Sequence, residues 1–346
     1  MKILKLTSND HRPEATLSQY IGNSEGIIDG WKIVTDPECT EADAWWVMEG
    51  PSKDEKPCRI PDGSLFFATA EATWPYGFYS EYSYRTAFLN QFDGIHTCHD
   101  FYSEKTTSST PFLPWMLNAN HGDSISSAHA RDIHFLNNLQ SLPKTKLLSV
   151  FCSQQGMLPS HRLRLRFTQI LKSHFGDDLD WYGNGFNSVP EKWNGLADYK
   201  FSIVLENQSR FNVITEKIYD PFLSLTYPIY WGAPNLSDYF DPKSFTPINL
   251  EDAKGSIKTI EWVLNNIKYD EVLPHLLESK RRVLNEQHFL RRMVRISEAA
   301  LRAGNPTKKN IREVKDISSF YHLYPWKLRQ LDNFKNKAAT VLRKLS

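Results

Sequence analysis

The chain has 346 residues, 40% of them hydrophobic, which is more than one core accommodates and enough to fill two. Lysine and arginine together number 41 against 40 acids, a formal charge of +1, so composition gives no reason to expect a nucleic-acid partner and leaves any anion site local. Cys39, Cys58, Cys98 and Cys152 stand far apart without a C-x-x-C pair, a usage that suggests neither a zinc site nor a disulfide framework and fits a reducing compartment.

In chain order, MKILKLTSND gives a first strand over 2–7 and turns polar too early for a signal-peptide core. No run approaches the roughly 18 apolar residues of a membrane span, so the sequence reads as soluble and cytoplasmic. Short apolar runs at 31–34, 44–48 and 64–69 are of strand length, and the last delivers Glu71 at its carboxyl end in FFATAEAT. A helix is expected over 79–90 and a strand over 92–98, a doubly wound α/β pattern. Glu71, beside Trp74 and Tyr76, has two readings, a general base in a cleft or a solvated loop acid, and Glu49 at an earlier strand end shares the ambiguity. Residues 103–131, rich in Ser, Thr, Pro, Asn and His without periodicity, read as an irregular approach to a domain boundary.

Residues 146–152 form the next strand, followed by a helix from about Ser160 with Leu163, Phe167, Ile170 and Leu171 as its apolar stripe. Arg162, Arg164 and Arg166 in its first turns suit a helix N-terminus only if an anion sits there. Arg164 is the better phosphate candidate and the other two read as solvated. Asp178-Leu179-Asp180 has the D-x-D shape of metal-holding transferases, but Leu179 and Trp181 start a strand, which makes the acids its polar alternates. Gly183-Asn184-Gly185 lacks the third glycine and the following helix of a dinucleotide fingerprint.

The stretch 199–232, YKFSIVLENQSRFNVITEKIYDPFLSLTYPIYWG, carries the most chemistry. A buried strand ends on Glu206 and Asn207. Thr215 then stands as the N-cap of a helix whose first turn holds Glu216 and Lys217 and whose stripe is Ile218, Phe222 and Leu225, before a second strand over 227–231. Strand, loop, helix and strand make a parallel α/β unit with its ligand crevice beyond the strands' carboxyl ends, where these polar residues fall. A strand is expected over 245–250 and helices over 252–266 and 269–302. Lys280, Arg281, Arg282, Arg291 and Arg292 fall on the wet face of the second helix. The tail from Trp326 to Ser346 is a basic amphipathic helix that packs on the other domain or rests on an anionic membrane.

Tyr199-Lys200-Phe201, Leu205-Glu206-Asn207, Ile214-Thr215-Glu216-Lys217, Pro228-Ile229-Tyr230-Trp231-Gly232 and Asp241-Pro242-Lys243-Ser244-Phe245 resemble, in order and spacing, the signature of glycosyltransferase family 10, the α-1,3/1,4-fucosyltransferases. Leu205 and Val213 depart from the Phe and Tyr that many members carry there. The resemblance is strong over about 146–250 and looks like the bacterial branch. It implies an α/β fold of the GT-B class, two Rossmann-like domains facing a central cleft: an acceptor-binding domain over 1–140, a donor domain over 141–320, and the basic helix over 321–346.

It further implies an inverting transferase that moves L-fucose from GDP-fucose to a hydroxyl of an oligosaccharide or glycolipid acceptor. Glu71 is then the catalytic base, and Arg164, Glu206, Asn207, Thr215, Glu216 and Lys217 bind the donor. No cofactor or metal is required, nucleic acid is not a partner, and membrane contact is peripheral at most. The alternatives are another nucleotide sugar on the same scaffold and a glycan-binding protein without catalysis.

Overall fold

The computed structural model describes residues 1–8, 26–52, 54–70, 83–99, 103–118, 131–154 and 159–323. Glu71 and the tail helix expected over 326–346 lie outside the described residues. The chain divides into two compact units: among the described residues, 1–8, 33–109 and 296–323 form the first, and 26–32 and 110–295 the second. Against the boundaries expected from sequence, 110–140 goes with the second unit and 296–323 with the first.

The first unit opens with β1 (Lys2–Ser8); a short hairpin, β2 (Ile27–Ile28) with β3 (Trp31–Val34), follows it in the chain. The hairpin turns on Asp29 and Gly30, both at positive φ, the Asp-Gly pair that matches the twist of antiparallel strands. Then come β4 (Ala44–Met48), β5 (Cys58–Pro61), β6 (Leu65–Ala68), α1 (Ser83–Leu89), β7 (Gly94–Thr97) and β8 (Thr106–Ser108). Strands β1, β4, β6, β7 and β8 lie in that order and pair in parallel. Strand β8 falls in the stretch expected to be irregular; three residues of Thr and Ser carry no period that sequence could reveal.

Strand β4 is buried along its whole length, as a central parallel strand covered on both faces must be. Its two tryptophans satisfy their N–H groups separately: Trp45 Nε1 donates to Thr7 Oγ1 at 2.8 Å and Trp46 Nε1 to Ser297 Oγ at 2.9 Å. Phe67, Phe88 and Phe92 pack their rings 5.1 to 5.7 Å apart in the core beneath.

The second unit contains α2 (Ile133–Asn138), β9 (Lys146–Phe151), α3 (Pro159–Phe175), β10 (Leu179–Tyr182), β11 (Tyr199–Leu205), α4 (Glu216–Leu223), β12 (Tyr227–Trp231), β13 (Thr246–Pro247), α5 (Ala253–Asn266), α6 (Tyr269–Asn285) and α7 (Phe289–Ala303), whose last turns belong to the first unit. Its five strands are all parallel in the order β10-β9-β11-β12-β13, so β11 sits at the centre.

Three expectations change here. The strand expected over 245–250 shrinks to Thr246–Pro247, because Pro247 has no N–H to donate and suits only the sheet edge it occupies. The helix expected over 269–302 is two helices, with Arg295 donating to the carbonyls of Asn285 and Glu286 at 2.9 and 2.8 Å to finish the first of them. On α3, Ile170 is 45% exposed, and the buried face includes His161 and Arg164 beside Phe167 and Leu171.

The chain then returns to the first unit, where β14 (Lys309–Arg312) pairs antiparallel with β5 and Arg312 holds Asp93 at 3.2 Å. Among the described residues no helix is long and apolar enough to cross a membrane.

Candidate active site

Strand β11 ends at Leu205, and the next residue, Glu206, is fully buried. Its two carboxylate oxygens accept from the Thr215 N–H at 2.9 Å and the Thr215 hydroxyl at 2.7 Å, which ties the strand end to the start of α4. Burial pushes the Glu206 pKa up, against the nearby Lys217 ammonium 4.0 Å away. Glu206 thus braces the loop, and its oxygens face Thr215. Thr215 is the N-cap: its hydroxyl oxygen accepts from the Lys217 N–H at 3.3 Å, an arrangement worth about 1 kcal/mol to the helix. Asn207 follows, half-buried at the same edge.

In the first turn of α4, Lys217 Nζ donates to Glu216 at 2.9 Å and to Thr215 Oγ1 at 3.3 Å. Burial disfavours ionisation of Glu216, yet Lys217 and Lys192 outweigh it and hold its carboxyl at about 2. Lys192 approaches from the 3-10 turn Lys192–Gly195 that precedes β11 and lies 3.8 Å from both Glu216 and Asp220. Asp220, one helical turn beyond Glu216, accepts from the Met116 N–H at 2.8 Å, and burial raises its pKa to about 7. Lys192, Lys217 and Asp220 line one small pocket with Phe151 and Leu205.

Arg164 reaches the same edge from α3. It is 5% exposed, and its Nη1 donates to the Leu205 carbonyl at 3.1 Å, whereas Arg162 and Arg166 are exposed. One turn earlier lies His161, also buried, whose pKa is held down at about 4 by burial first and then by Arg164, Lys217 and Arg162. Gly232 closes the other side: a Cβ there would stand 2.2 Å from the Tyr230 hydroxyl and 2.5 Å from Glu206 Cγ. The structure therefore brings together Arg164, Glu206, Thr215, Glu216 and Lys217 and adds His161, Lys192 and Asp220. Of these three, Asp220 had a signal, four residues after Glu216 on one helix face.

Two motifs weighed from sequence fall elsewhere. Asp178 is exposed in a turn, and Asp180 accepts from the Tyr199 hydroxyl at 2.5 Å with Lys146 at 3.5 Å. Gly183 has a φ of +145°, and a Cβ on it would meet the Cys152 carbonyl at 2.4 Å, so the glycine serves close backbone packing. Among the described residues no group of three or more His, Cys, Asp or Glu side chains could hold a metal ion. In the first unit, Glu49 sits at the carboxyl end of β4 with a φ of +64°, a strained position, and accepts from the Ala70 N–H at 2.6 Å immediately before Glu71.

The chain thus comprises two α/β units with separate sheets, and the second gathers cations and a capped helix start at the carboxyl edge of its parallel strands, where open α/β sheets bind their ligands. Residues 142–272 match the model of glycosyltransferase family 10 (fucosyltransferase) C-term. Alpha-(1,3)-fucosyltransferase FucT of Helicobacter pylori is 40% identical over 79 residues, 23% of this chain and 16% of that protein. Alpha-(1,3)-fucosyltransferase B of Drosophila melanogaster is 28% identical over 102 residues, 28% of this chain and 23% of its own length. The matched stretches thus span less than a quarter of either relative. A solved α1,3-fucosyltransferase with GDP aligns over 85% of this chain and 90% of its own at 18% identity, with a TM-score of 0.47.

Proposed function

We propose that the protein is an inverting fucosyltransferase that moves L-fucose from GDP-fucose to a hydroxyl of GlcNAc or Glc in an acceptor oligosaccharide, in α-1,3 linkage and without a metal. The observation that carries this reading is the cationic edge at the start of α4, inside the segment that matches the fucosyltransferase family. Transfer needs a base for the acceptor hydroxyl and positive charge for the departing diphosphate. Glu71 takes the hydroxyl proton as the acceptor oxygen forms its bond to the anomeric carbon, and the bond from that carbon to the diphosphate breaks on the opposite face. Lys217, Arg164 and the positive N-terminal end of the α4 dipole receive the charge of the leaving GDP. Glu216, kept ionised by Lys217 and Lys192, accepts from donor hydroxyls, and Asn207 supports the loop.

Release of GDP from GDP-fucose, measured across a panel of acceptor oligosaccharides, tests the reading; no release with any acceptor would overturn it. Lys217→Ala is expected to lower turnover on the order of 100-fold in a folded protein, and an unchanged rate would remove Lys217 from the charge-stabilising role. Glu71→Gln is expected to bind GDP normally and abolish transfer; retained transfer would move the base elsewhere. The second reading, another nucleotide sugar, is favoured by Val213, a buried aliphatic residue where many family members carry Tyr. Thermal shift with GDP-fucose, GDP-mannose and UDP-sugars separates the two, because only a ligand that binds the folded state raises its melting temperature.

A further inference from the structure

His161 is 7% exposed and neither of its ring nitrogens has a hydrogen-bond partner. Three residues on, Arg164 is 5% exposed with its Nε also lacking a partner. Both lie on the buried face of the 17-residue helix α3, in its first two turns. A buried polar atom without a partner forfeits its hydration with nothing in return, and two such side chains a turn apart mark a place that something else completes.

The field at His161 says what that is. The charged groups acting on it are Arg164 and Arg162 from its own helix and Lys217 from α4, all cations. The ring is therefore neutral, with one nitrogen a donor and the other an acceptor. A neutral donor and a guanidinium with a spare N–H at the start of α3, with a lysine at the start of α4, complement a group rich in acceptor oxygens and negative charge.

We propose that His161 is a further donor-binding residue, giving its imidazole N–H to a diphosphate oxygen of the nucleotide sugar beside Arg164 and Lys217. This rests on the nucleotide-sugar reading above and adds a contact to it. Among the described residues no other histidine stands at this edge: His174 pairs with Glu261 at 2.9 Å on the far end of α3, and His275 with Asp241 at 2.6 Å.

Calorimetric titration of GDP and of guanosine into the wild type, His161→Phe, His161→Gln and Arg164→Ala tests the contact. His161→Phe keeps the ring's bulk and removes the donor, so it is expected to weaken GDP about 10-fold or more and to leave guanosine unchanged. His161→Gln restores an N–H and is expected to recover most of the loss, which a purely packing role would not produce. GDP affinity within twofold of wild type in His161→Phe, alongside a loss in Arg164→Ala, overturns the His161 contact and leaves the diphosphate site standing. A wild type that binds no GDP overturns both. Independently of whether the phenylalanine variant folds, the imidazole 15N resonance of His161 is expected to shift on adding GDP and not guanosine, and no shift overturns the contact.

Discussion

At Cys39 a hydrogen bond with the Cys58 side chain, followed by a backbone hydrogen bond at Glu41 and the Lys5 ammonium, outweighs burial and lowers the Cys39 pKa to about 6. Lys5 is itself fully buried, bound to Glu55 at 2.6 Å and to the Cys39 carbonyl at 2.8 Å. Cys39 is half-buried, whereas Cys58, Cys98 and Cys152 are buried. One thiol in four is therefore expected to alkylate fast at pH 7, with a rate that falls as pH drops through about 6, where the thiolate takes up its proton. Cys58→Ala removes the donated bond and is expected to slow labelling at pH 7 roughly tenfold. Iodoacetamide kinetics with peptide mapping reads this, and four slow thiols would contradict it. Sequence spacing had separated these two cysteines, since 18 intervening residues conceal a contact that tertiary structure makes. The α4 residues were legible for the opposite reason: Thr215, Glu216 and Lys217 are adjacent, and the rule that places them is local. His161 and Lys192 were not, because a histidine reads as an interruption of a helical stripe and a lysine in a turn belongs to no period.

The basic residues of α6 and α7 show the same limit for whole elements. Read as a wet face, they divide on folding. Arg281 stays exposed with Glu278 and Glu286, while Lys280 is 4% exposed and donates to the carbonyl of Leu136 at 2.7 Å and to that of Leu139. Burial lowers the Lys280 pKa to about 8. Arg292 donates to the carbonyls of Thr110 and Pro111 at 2.9 and 3.2 Å and lies 3.9 Å from the centre of the Phe112 ring. These side chains fasten α2 and the 110–112 segment to helices more than a hundred residues away, a use that a charge pattern cannot reveal. Lys280→Met leaves the carbonyls at the end of α2 without their donor and is expected to destabilise the second unit by about 2 to 3 kcal/mol. Urea unfolding checks the value, and a change below 0.5 kcal/mol would show that water replaces the ammonium. The parallel strands β4, β9, β11 and β12 were legible because each is a continuous apolar run. Strands β5, β8, β13 and β14 were missed or overdrawn because each is short or lies at an edge, where pairing rather than hydrophobicity defines it.

Over the whole molecule, the first unit is assembled from pieces at both ends of the described chain, and the second lies between them. Residues 296–323 supply β14 against β5, Ser297 to Trp46, and Phe320 against Phe88. A protein ending at residue 295 is expected to lose the first unit's cooperative melting while the second unit still melts. Calorimetry of that truncation decides it, and two intact transitions would show that the returning segment is dispensable.

The same interleaving sets an order of events during synthesis. Domains fold as units while the chain emerges at roughly 5 to 20 residues per second. The second unit has all its residues once position 295 has left the ribosome, and the first unit, although its opening strand is made at the start, must wait for residues 296–323. The usual N-terminal-first sequence is reversed. For roughly 12 to 50 seconds Trp46 of β4 has no Ser297 and β5 has no partner strand, so the nascent chain's exposure to chaperones is concentrated in the half that was translated first.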